Sequence, residues 1–231
     1  RFLAFLVAAG CLVMAGPPTG DATRSDRING AGRVTTPAER LTPVVRQLSI
    51  SGTGDILPHS PLWSQAASNA GGVGFDFAPM FADIAPVIGL ADLSICHLET
   101  PIVPVGQAPS TYPQYGVPVE VTNAIASAGY DRCSTASNHT FDRGVAGIGR
   151  TVSSLESVGV QQSGMARTPA EATPQVVSVN GAAVAHLSYT YGFNGAYVPS
   201  GQQWRSPLIN AGRIIADSRA ARQRGAELVV L

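Results

Sequence analysis

The apolar and polar positions change period repeatedly from Arg46 to Leu231, and each change marks an element. "RQLSISGTGD" (46–55) predicts a strand ending in a glycine-flanked turn. "FDFAPMFADIAPVIGLAD" (75–92) has helical spacing, interrupted near Pro86, and runs into a strand, "LSICHLE" (93–99). "VTNAIASAGYDRCSTAS" (121–137) predicts a short helix with Thr122 as N-cap and Gly129 as its stop, then another apolar strand. Val145, Ile148, Val152 and Leu155 fall on one helical face, and Gly159 ends that run.

The pattern then changes character. "PQVVSVNGAAVAHLSYT" (174–190) holds two β-rich runs joined by Asn180-Gly181, a type I′ hairpin signal because both central residues need positive φ. "INAGRIIADSRAARQRGAELVVL" (209–231) predicts an amphipathic helix, a stop at Gly225 and a strand running to Leu231. The predicted fold class is α/β, with parallel strands from strand-helix-strand units and an antiparallel hairpin. Sheets of this kind place ligands at the carboxyl ends of their strands.

Upstream the composition differs. "RFLAFLVAAGCLVMAG" (1–16) is an apolar run of signal-peptide length, shorter than the roughly 20 residues of a spanning helix, and predicts export. "VAAGC" ending at Cys11 resembles a lipobox, so lipidation of Cys11 stands beside a plain secretory signal or an N-terminal anchor. Residues 17–45, rich in Gly, Pro, Thr and charge, read as a flexible tether before a domain over 46–231. Cys96 and Cys133 sit in apolar strand-like runs; pairing is open to them in an exported protein, but the reading preferred from sequence is a buried inert thiol at each.

The chain of 231 residues is 45% apolar and carries 15 basic and 15 acidic residues. That is enough apolar material for a sizeable core, and the zero net charge argues against nucleic acid or an anionic membrane surface as a charge-driven partner. Any membrane association is expected through the N-terminal segment alone.

Candidate chemistry gathers where the strands end. Asp55 follows the first, Glu99 the second, and Asn138, His139 and Asp142 the third, within "CSTASNHTFDRG" (133–144). Two carboxylates, an amide and an imidazole at one sheet edge suit a divalent cation such as Mn²⁺, Mg²⁺, Zn²⁺ or Fe²⁺, with a carboxylate able to bridge two. His139 can bind metal or protonate a leaving group, and Asp142 is spaced to orient its imidazole. Each residue also has a purely structural reading: Asp55 a turn aspartate, Glu99 a solvated strand end, Asn138 to Asp142 a helix cap. His59 and His97 are further ligand or substrate-contact candidates, with His97 and Glu99 on one strand face by alternation. Tyr191 and Asn194, in "SYTYGFNG" (188–195), belong to a loop able to line a pocket. His186, inside a hairpin strand, reads as a core or hydrogen-bonded histidine.

In order and spacing, "GDILPH", "ADLSICHLETPI", "GYDRCSTASNHTFDRG", "TPAEATP" and "AHLSYTYGFNG" resemble bacterial capsule-synthesis proteins of the CapA type, linked to poly-γ-glutamate biosynthesis and anchoring. That family is similar to the calcineurin-like metallophosphatases, which implies a layered sandwich of mixed β-sheets flanked by helices, with a two-metal site. The likeness implies Asp55 on one metal, Glu99 as bridging carboxylate, Asn138 on the other metal and His139 as general acid. The implied chemistry is attack on a phosphoryl or acyl-phosphate centre in polymer synthesis, transport or anchoring, with membrane polymer-synthase subunits as partners and an anionic polymer or phosphorylated compound as substrate. Two other functions fit the same residues: a non-catalytic envelope module that binds an anionic polymer, and a general metallophosphoesterase. His97 stands where the common family form has Asn. A His-Trp-Gly and a Gly-His-x-His element, expected beyond Leu231, are not in the sequence, which therefore reads as the N-terminal part of a longer protein.

Overall fold

The computed structural model describes residues 47–231. The expected signal or lipoprotein segment, Cys11, the tether and Arg46 lie outside the described residues.

Four parallel strands, β1 (Ile50–Ile56), β2 (Leu93–Leu98), β3 (Arg132–Ser134) and β4 (Gln161–Ser163), form a sheet in sequence order. Alternation along β2 divides its side chains between two cores. Cys96 and Leu98 join Ala66, Ile88, Val121, Ile125 and Leu155 on the helical side, contributed by α1 (Ser60–Asn69), α2 (Ala85–Ile88), α3 (Glu120–Ser127) and α4 (Gly144–Ser157). Leu93 and Ile95 face the other way, onto Val179 and Val184 of a second sheet. That sheet has the order β5 (Val176–Val179), β6 (Ala182–His186), β7 (Leu228–Val230). Its outer face is covered by α5 (Ala211–Gln223) through Ala185, Ala221 and Ala226. The result is helices, sheet, sheet, helix: a layered α/β sandwich of the kind the resemblance implies. Burial drives the layering, since Leu98, Ile125 and Leu155 are fully enclosed and each such side chain contributes about 1.5–3 kcal/mol.

Several local expectations hold. Asn180 and Gly181 adopt φ of 49° and 79°, and β5 and β6 pair antiparallel around them. The helix through Val145 and Leu155 forms as α4, and β7 pairs parallel with β6. Others need correction. The long helix expected over 75–92 is a 3-10 turn, Ala78–Met80, and the four-residue α2, because Pro79 and Pro86 each sit in a first turn and cannot continue a preceding helix. Thr122 is not the N-cap of α3; Val119 is, and the Thr122 hydroxyl donates to its carbonyl at 2.8 Å. Helix α1 occupies a stretch to which the sequence pattern assigns no element, its start permitted by Pro61 at the first turn. The polar strand β4 carried no alternation to announce it.

The thiols also differ from the preferred reading. Cys96 and Cys133 are register partners on adjacent parallel strands and form a disulfide, with Cα atoms 4.4 Å apart. The apolar runs describe their burial correctly, yet pairing depends on the register between β2 and β3. Among the described residues, no helix is long and apolar enough to cross a membrane.

Candidate functional site

The connection from β3 to α4 is held by its own hydroxyls. Ser137 Oγ accepts the His139 N–H at 3.0 Å, and Thr140 Oγ1 accepts the Ser137 N–H at 2.9 Å while donating to the Thr135 carbonyl at 3.0 Å. Phe141 anchors the far side against Ile148, Val152 and Met165. This is why "CSTASNHT" is rich in serine and threonine: local side-chain bonds replace a ladder and fix the His139 backbone.

His139 is 8% exposed, and its Nδ1 lies 2.7 Å from Asp142 Oδ2. The same carboxylate oxygen accepts the Tyr115 N–H at 2.7 Å. A carboxylate can only accept from a neutral imidazole, so Nδ1 carries the hydrogen and Nε2 faces outward. Across from it stands Glu99, with Oε1 at 3.9 Å from Nε2. Burial, and then the charge of Asp55, push the Glu99 carboxyl above the ordinary glutamate range, against the pull of His139, His97 and His59. Two carboxylates and three imidazoles therefore share one electrostatic neighbourhood.

Asp55, near the end of β1, accepts from or pairs with His97 Nδ1 at 2.7 Å. These two are register partners across β1 and β2. Asn138 is partly buried, and its Oδ1 accepts from Ser137 Oγ at 3.3 Å. His59 is exposed, with Nδ1 3.3 Å from Thr111 Oγ1 and 3.4 Å from the Tyr115 hydroxyl.

Tyr115 escaped the sequence reading altogether. Its ring lies edge-on between two imidazoles, 4.5 Å from His139 and 5.3 Å from His59 between centroids. Arg143 Nε donates to its carbonyl at 3.0 Å, which ties the segment to the start of α4. Only the fold reveals this contact, because "TYPQYG" has no periodicity and lies 24 residues from His139 in sequence. The structure does not bring Tyr191 and Asn194 to the cluster. Both are exposed, and neither makes a hydrogen bond or ring contact with any of its members. Phe193 between them packs its ring on Phe141, so that loop braces the site from behind.

A divalent cation fits these residues in donor chemistry. The Glu99 Oε2 and His97 Nε2 atoms are buried and without hydrogen-bond partners, and an orphaned carboxylate oxygen and ring nitrogen are what an ion would satisfy. Among the described residues no three His, Cys, Asp or Glu side chains already stand together around one point. Further donors, Asn138 and water among them, would complete a shell.

No curated protein compared with the chain matches it. The family comparison is decisive over the folded region: the sequence model of the bacterial capsule synthesis proteins, PGA_cap, matches residues 49–231, and the chain belongs to that family.

Proposed function

We propose that this capsule-synthesis family member acts at the cell envelope through a metal-dependent site handling phosphoryl or acyl-phosphate chemistry during polymer synthesis, transport or anchoring. The observation that carries this reading is the buried His139–Asp142 pair facing Glu99 at the carboxyl edge of the sheet. Asp55, Glu99 and Asn138 are assigned to hold divalent metal, with His97 able to offer Nε2. Bound there, the ion would supply Lewis-acid stabilisation of developing charge on oxygen. The chain's own part is proton handling. Asp142 fixes the tautomer and orientation of His139, so that Nε2 takes up a proton and later returns one to a leaving oxygen. Tyr115 limits how the imidazole can turn, and Glu99 sets its electrostatic surroundings. The Cys96–Cys133 disulfide supports export, since such bonds persist in oxidising compartments. Anchoring through Cys11 and docking onto membrane polymer-synthase subunits belong to the same proposal.

The test uses the full chain. Mn²⁺ is titrated calorimetrically, and turnover is followed on a panel of chromogenic phosphate esters and acyl phosphates. Binding is expected to fall at least about tenfold in Glu99→Gln. His139→Ala should keep the metal yet lose roughly 10²–10⁴ in turnover, the usual worth of a positioned acid-base group. Absence of Mn²⁺ binding in the unmodified chain would sink the metal assignment. One second reading is a module that binds an anionic polymer without turnover, with His59, His97 and His139 as hydrogen-bond donors to it. Polymer binding that survives both substitutions, with no turnover in any variant, would select it.

A further inference from the structure

A second polar cleft lies on the far side of the segment that carries Asn138 and His139. It opens between the ends of β3 and β4 and the loop after β6, with a free volume of about 40 Å³. By the volume one ordered water needs, that is room for about three waters or one small polyatomic group. Ser188 in its wall accepts the Ala136 N–H at 3.3 Å, two residues before Asn138.

The ion pairs around this cleft leave out Arg132. Arg132, only 3% exposed, lines it, and its Nε has no hydrogen-bond partner. Its other nitrogens bond Gln161 Oε1 and, at 3.3 Å, the Gln162 carbonyl, which are neutral acceptors. The two carboxylates that also line the cleft are engaged elsewhere: Glu171 pairs with Arg167 at 2.9 Å, and Asp217 with Arg213 at 2.6 Å and the Tyr189 hydroxyl at 3.0 Å. Among the described residues Arg132 forms no ion pair; Asp131, next to it in sequence, lends it some negative charge, but the Asp131 carboxylate accepts the Ser94 N–H at 2.7 Å. Opposite stands His186, also 3% exposed, with Nε2 2.9 Å from Ser134 Oγ and with Nδ1 buried and unpartnered. A buried guanidinium with a free N–H and no ion-pair partner is costly, and a bound anion is an ordinary remedy.

We propose that this cleft binds a small oxyanion group, with Arg132 as the charged donor and His186 and Ser188 as neutral partners. The guanidinium fork matches two oxygens of such a group, and a neutral imidazole can donate a third hydrogen bond through Nδ1. The site uses none of the residues assigned to metal. Its chemistry is shared by a free inorganic anion and by an acidic group carried on a carbon chain.

Binding is measured by calorimetry on the full chain carrying Glu99→Gln, in EDTA, so that no signal comes from the metal site and the two readings fail separately. Inorganic phosphate and malonate are the probes. Saturable binding of at least one is expected, weakening as salt rises. Phosphate alone would point to a free oxyanion, and malonate alone to a carboxylate carried on a larger molecule. Arg132→Met, which keeps the stem and removes the charge, should lose at least about tenfold in affinity. Ser163→Asp, which adds a carboxylate to the cleft wall, should also abolish binding, and it keeps the test open if Arg132→Met does not fold. Failure of both probes to saturate, or equal affinity in Ser163→Asp, overturns the proposal.

Discussion

The disulfide between Cys96 and Cys133 offers the most quantitative check on the fold. Both sulfurs are enclosed, at 1% and 0% exposure, and the bond closes a loop with a sequence separation of 37. In the chain-entropy account a loop of this length removes about 13 cal/mol/K from the unfolded ensemble, or about 4 kcal/mol at 25 °C. The perturbation is Cys96→Ala, Cys133→Ala and the double variant, each compared with the oxidised protein in urea. With an m-value near 2–2.5 kcal/mol/M, the midpoint should fall by about 1.5–2 M. Each single substitution already removes the whole cross-link. The double variant should therefore cost scarcely more than either single one, a strongly non-additive pattern. A thiol titration of the unfolded, unreduced chain should find two fewer thiols than after reduction. Equal thiol counts would show that the bond does not form. Additive losses, or an unchanged midpoint, would refute the loop-closure reasoning even if it does.

Three further outcomes follow from groups whose environments are unusual. Glu99 has a carboxyl raised by burial and by Asp55, so its stability contribution is present below the unfolded pKa and is lost as pH rises through the folded one. Glu99→Gln should therefore melt higher than the metal-free parent at pH 7, with the gap closing on acidification; a lower melting point at pH 7 would contradict this. His186 is depressed from 6.5 to about 4, first by burial and then by Arg132, so it stabilises the fold above pH 6.5 and loses that contribution as pH falls toward 4. The loss amounts to about 3 kcal/mol, and His186→Gln should flatten the stability profile across that window; an unchanged profile would assign it to other groups. Gly164→Ala places a Cβ at φ +123°, 2.2 Å from the Ala136 nitrogen, while Gly181→Ala at φ +79° meets nothing within 4 Å. The first should cost about 3 kcal/mol or more, lowering the melting temperature by roughly 6–12 °C, and the second about 1 kcal/mol; scanning calorimetry showing equal losses would contradict the close approach.

What the sequence determined by itself was local, or followed from the order of its motifs. The Asn180-Gly181 hairpin was legible because positive φ is a property of those two residues, and α4 was legible because Val145, Ile148, Val152 and Leu155 repeat at the helical period. The α/β class followed from alternating elements, and the layered sandwich from the family resemblance that the motifs carry. That Asp55, Glu99 and His139 lie near one another followed from strand ends, because parallel strands present their carboxyl ends together. Tertiary structure alone decided the rest. Register between β2 and β3 set Cys96 against Cys133, and register between β1 and β2 set Asp55 against His97. Packing of an irregular segment placed the Tyr115 ring between two histidines, and loop geometry left Tyr191 and Asn194 in solvent. Arg132 shows the division most plainly. In sequence it is one charge at the start of a short strand; buried between two sheets, with a free Nε and no ion pair among the described residues, the same residue becomes the best argument for a second site. A side chain's type is written in the chain, whereas its burial and its partners depend on residues far away in sequence.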